Sequence, residues 1–72
     1  MSVVEYAVII ERASTRNYSA YAPDLPGCVA TGRTVDETRE KMRQAIRMHL
    51  ESLREHGEAT PRPTAIAEQV AV

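Results

Sequence analysis

The sequence predicts a small α+β fold: three antiparallel strands, then one helix packed on the sheet, with a candidate last strand closing a β-β-β-α-β order. Three observations carry this. Residues 3–13 alternate between apolar and mixed positions. Residues 23–27 read Pro-Asp-Leu-Pro-Gly, a loop that neither strand nor helix accommodates. From Thr34 onward the apolar spacing changes to the helical period.

In the first strand, residues 3–13, Val4, Tyr6, Val8 and Ile10 share one face. Residues 14–17 form the turn into a second strand, residues 17–22, although no Asn-Gly pair marks it. There Tyr18, Ala20 and Ala22 face one way, and Ser19 and Tyr21 the other. In the loop that follows, Pro23 and Pro26 fix φ and remove two backbone donors. Ala22 and Leu25 precede prolines and are driven out of helical geometry. Gly27 is expected in a backbone region closed to side chains. Residues 28–32 make a third strand. The helix runs from residue 35 to about 56, opened by a Thr34…Glu37 capping box and closed by Gly57. Val35, Thr38, Met42, Ala45, Ile46, His49, Leu50 and Leu53 form its sheet-facing stripe. Pro61 and Pro63 make residues 59–63 an extended connector, and residues 70–72 are the candidate last strand.

With 72 residues the chain is one domain. A protein of 8.0 kDa buries only about 60% of its unfolded surface. Leu, Ile, Val and Phe total 14 residues, while Ala alone supplies 10. A core this thin favours self-association, and a dimer or tetramer is expected. One cysteine excludes a disulfide framework and a multi-cysteine zinc site. It suits a reducing, cytoplasmic setting. No apolar run reaches about 18 residues, and the N-terminus lacks a basic segment before an apolar one, so neither membrane span nor signal peptide is expected. A net charge of −1 and a pI of 6.1 disfavour a dedicated nucleic-acid binder.

Little in the chain suggests catalysis. Gly27, Gly32 and Gly57 are scattered and make no phosphate loop. Cys28 reads as a small buried hydrophobe, with both histidines away on the helix. Glu5 and Glu11 lie about 20 Å apart along one strand and cannot share a metal pair. No metal or cofactor is expected. Arg39, Arg43, Arg47 and Arg54 flank the apolar stripe on one side, and Glu37, Glu40, Glu51 and Glu55 on the other. This reads as a solvated helix with local pairs such as Glu37–Lys41. Met48 points away from the stripe, where it can mark a subunit contact. Tyr18 and Tyr21 flank the proline loop. Two readings stand side by side: a rigid presentation surface, or a core tyrosine beside a tight connection.

The run from Tyr18 to Gly32, with Pro23-Asp24-Leu25-Pro26-Gly27-Cys28 at its centre, resembles the signature of HicB-like antitoxins. So do Thr34, Asp36-Glu37, His49-Leu50-Glu51 and the exit from Gly57-Glu58 to Pro61 and Pro63. The resemblance covers roughly residues 3–63 and implies a single HicB-like domain over residues 1–72. It implies a partial, degraded RNase H-like fold. It also implies a non-enzymatic role: the antitoxin of a type II toxin–antitoxin pair. Such a protein binds a HicA-like toxin, a small basic protein that cleaves messenger RNA with a histidine, and covers its active site. On that reading the partner-binding candidates are Tyr18, Tyr21, Leu25 and Pro26, with Asp24 as the charge that mimics phosphate. Many family members add a C-terminal DNA-binding domain. Here nine residues follow Pro63, so direct DNA binding is not expected. The competing readings are a stand-alone oligomeric scaffold or ligand-binding domain of the same fold, and a residual metal-dependent nuclease.

Overall fold

A computed structural model describes residues 4–72. Its elements are β1 (Ile9–Arg12), β2 (Tyr18–Tyr21), β3 (Val29–Gly32) and α1 (Val35–Glu55). The strands form one antiparallel sheet in the order β1-β2-β3. The α+β class and the β-β-β-α order are those expected from sequence.

The sheet register explains why the first strand is shorter than the alternation suggests. Ile9 pairs with Tyr21 and Arg12 with Tyr18. Carried two residues further, the ladder would set Val8 against Ala22 and Ala7 against Pro23, which has no N–H to give. Of the expected span 3–13, only Ile9–Arg12 is strand, and Val3 lies outside the described residues. The expected 17–22 and 28–32 spans also lose end residues to turns. Asn17 accepts the amides of Ala13 and Ser14 at 2.9 and 3.2 Å, closing the β1–β2 connection.

Between β2 and β3 the chain makes two consecutive turns. The Leu25 amide donates to Ala22 O at 3.0 Å, and the Cys28 amide to Leu25 O at 3.1 Å. Each turn has proline at its second position, and the second turn has Gly27 at its third with φ +83°. That is the proline–glycine pattern of a type II turn.

Half of the expected capping box forms. The Thr34 hydroxyl accepts from the Glu37 amide at 3.0 Å, while the Glu37 carboxylate pairs forward with Lys41 at 3.1 Å. At the other end Gly57, at φ +69°, donates to Arg54 O, and Glu58 donates to Leu53 O. These two bonds make a Schellman closure. The buried core is Ala20, Ala22, Leu25, Cys28 and Met42, with Thr38 sealed beside it. Val35, expected on the sheet-facing stripe, is instead exposed at the first turn. Where α1 crosses β3, a Cβ on Gly32 would stand 2.6 Å from Thr38 Oγ1. Only glycine permits this approach.

The candidate last strand is absent. Residues 58–72 form no helix or strand, and Val70 and Val72 are exposed. The segment before them lies back across the end of the sheet without joining it. The Tyr6 hydroxyl donates to Pro61 O at 2.5 Å, and Asp24 accepts three bonds from residues 64–65. Pro61 and Pro63 lack the donors a ladder needs.

Candidate functional site

The five residues singled out from sequence share a region but not a surface. Tyr18 and Tyr21 point to opposite faces of β2, since three residues separate them on a strand of period two. Tyr18 stands on the helix side. Its hydroxyl takes a 3.0 Å bond from Arg12, whose guanidinium carbon lies 5.3 Å from the ring centroid. Leu25 has 0% exposure. As an anchor for a partner it has no surface to offer. It plugs the proline loop into the core, where truncation to Ala typically costs about 2–5 kcal/mol. Pro26 is exposed at the loop tip.

Asp24 is already engaged. Its Oδ1 accepts from Thr64 Oγ1 at 2.7 Å, and its Oδ2 accepts from the amides of Thr64 and Ala65 at 2.9 and 3.0 Å. The Thr64 hydroxyl, then the two amides, hold the carboxyl below the usual aspartate range. Its charge clasps residues 64–65 rather than standing free for a partner. Nothing local in the sequence announces a bond across 40 residues.

The sheet face opposite α1 carries the surface that sequence reading did not assemble. The register sets Ile9, Tyr21 and Val29 in one cross-strand row. Tyr21 is 45% and Val29 65% exposed. The next row is Glu11, Ser19 and Thr31. Cross-strand aromatic and β-branched neighbours contribute about 0.2–1 kcal/mol per pair to the sheet. They also leave a continuous apolar strip with a carboxylate beside it. Strand alternation was the available signal; the strand register was the missing piece.

Two further concavities lie on the helix side. The helix brings His49 to a shallow recess shared with Cys28, Gly27, Val29, Ala45 and Met48, although the two residues are far apart in sequence. Burial pushes the Cys28 thiol up, which disfavours the nucleophilic thiolate. The second is a groove of 680 Å³ between the lead-in to β1 and α1, with Arg39, Arg43 and Arg47 among its lining residues. Arg39 pairs with Asp36 at 2.6 Å and Arg43 with Glu40 at 3.1 Å. Among the described residues no cluster of three His, Cys, Asp or Glu side chains converges to hold a metal ion. No helix among them is long and apolar enough to cross a membrane.

Comparison with known proteins gives a consistent set. A family model described as HicB_like antitoxin of bacterial toxin-antitoxin system matches residues 6–72. A UPF0150 protein of Thermoplasma acidophilum is 39% identical over 62 residues, covering 86% of this chain and 90% of its own. A UPF0150 protein of Synechocystis is 27% identical over 70 residues, covering 97% and 89%. An uncharacterized 14.9 kDa protein of Haemophilus phage HP1 is 31% identical over 65 residues, covering 90% of this chain and 48% of its own. No solved structure matches the chain.

Proposed function

Since the chain belongs to the HicB-like antitoxin family of bacterial toxin–antitoxin systems, we propose that it neutralises a HicA-like, RNA-cleaving toxin by binding over the toxin's active site. The role is one of binding without catalysis, in a type II pair acting in the cytoplasm. The three strands and helix serve as a partial RNase H-like scaffold that presents the binding face.

The observation that carries the reading is the open sheet face. Tyr21 and Val29 are exposed and lie in one apolar row with the half-buried Ile9, with Glu11 in the next row. An aromatic anchor flanked by apolar neighbours is the usual energetic centre of an interface. A carboxylate beside it suits a partner whose own surface is cationic for RNA. Tyr21 is therefore the anchor, and exposed Pro26 its rim. Asp24 and Leu25 act indirectly by fixing the proline loop.

The test is co-expression of the tagged chain with a small basic protein encoded beside it. The expected result is a stoichiometric complex that no longer cleaves RNA, and a Tyr21→Asp variant that folds but leaves cleavage active. A folded chain that neither retains such a protein nor suppresses its cleavage would overturn the reading in favour of a stand-alone scaffold.

A further inference from the structure

The chain exposes 5977 Å². A compact monomer of its mass exposes about 4,450 Å². The excess, about 1,500 Å², is roughly twice what each partner buries in an interface of standard size. Two features on this surface complement each other. One is the last stretch, residues 66–72, in which Ile66, Val70 and Val72 are all highly exposed. The other is the groove, whose floor includes the half-buried Val8, Ile10, Ile46 and Leu50.

Shape and charge agree. Residues 66–72 read Ile-Ala-Glu-Gln-Val-Ala-Val, so in extended form Ile66, Glu68, Val70 and Val72 share one side. The groove rim supplies Arg39, Arg43 and Arg47 on successive helical turns. Arg47 has no ion-pair partner among the described residues. Glu68 is the only charge in the stretch and has the opposite sign.

The chain's own tail does not line the groove, and Ile66, Val70 and Val72 are exposed. The connector meets Tyr6 at Pro61, beside the groove. By residue 64 it has moved to the β2–β3 loop, where Asp24 clasps it. Among the described residues nothing fills the groove.

We infer that residues 66–72 of one copy lie in the groove between the β1 lead-in and α1 of a second copy. Reciprocal exchange then makes a two-fold dimer. This surface is separate from the open sheet face, so the dimer forms whether or not a toxin binds.

Sedimentation equilibrium on the full chain between about 1 and 200 μM tests it. Wild type is expected to dimerise. Val70→Asp and Ile66→Asp should raise the dimer dissociation constant at least about tenfold with unchanged helical circular dichroism, because both side chains are already exposed in the single chain. Arg47→Glu should weaken the dimer, and adding Glu68→Lys should restore it. A wild type that stays monomeric overturns the inference. So does a dimer that ignores the tail variants, or one that Tyr21→Asp dissociates instead.

Discussion

Asp24 holds Thr64 by both of its carboxylate oxygens, at 2.7 and 2.9 Å, with 40 residues of chain between them. The contact joins the proline loop to the chain's exit path. It converts a residue that sequence reading offered to a partner into an internal clasp.

Asp24→Ala is expected to release residues 59–72 while leaving the sheet and helix intact. Limited proteolysis should then cut near Arg62 markedly faster, with no change in helical circular dichroism. Equal cutting rates in both proteins would remove the clasp from the account. Acid should act in the same direction. The folded carboxyl is held below the usual aspartate range, so the clasp contributes fully above that range and is lost as pH falls through the lowered value. Protease sensitivity near Arg62 should therefore rise as pH falls below the usual aspartate range.

Gly32→Ala should destabilise the protein by about 1–3 kcal/mol, since the added Cβ would overlap Thr38 Oγ1 and the Thr38 amide at 2.6 and 2.9 Å. The Thr38 hydroxyl donates to Thr34 O at 2.7 Å, so the collision presses on a hydrogen-bonded part of the helix start. Urea denaturation reads the loss directly. A midpoint equal to wild type would mean that α1 lifts freely from β3.

Leu25→Ala and Tyr21→Asp should separate stability from binding. The first empties the centre of the core and should cost about 2–5 kcal/mol. The second alters a half-exposed position on the open face and should lower stability only by its two cross-strand pairs, about 0.4–2 kcal/mol, while abolishing toxin retention. The reverse pattern would place the partner surface on the loop instead.

Cys28 should react slowly with a disulfide reagent in the folded protein and rapidly in urea. Its side chain is buried, and desolvation raises the thiol above its ordinary value. Folded-state labelling as fast as that of the denatured chain would show that the recess beside His49 opens readily.

Much of this was legible in the residues themselves. The Thr34 cap, the Gly57 closure and the apolar stripe are local signals, and α1 runs within a residue of the expected span. Pro23, Pro26 and Gly27 announced a constrained loop because each acts on its own backbone, and the loop proves to be two consecutive turns. The rest depended on long-range geometry. Strand length followed the register, whose extension by two residues would meet Pro23, and not the alternation of residues 3–13. Burial of Leu25 followed from how the two turns fold the loop inward. The row of Ile9, Tyr21 and Val29 came from three separate segments. The Asp24 clasp came from a threonine with no pattern around it.

The order of elements along the chain is also their order across the sheet. Each strand can therefore find its neighbour by closing a short loop, and the helix follows directly on the last strand. Such topologies have low contact order and cross their folding barrier quickly. The bonds from Tyr6 to Pro61 and from Asp24 to residues 64–65 are the exceptions, since their loops are long and closure entropically dearer. During synthesis every residue of the sheet and helix precedes Pro61 and Thr64, so the exit segment is expected to dock only after the strands and helix have met.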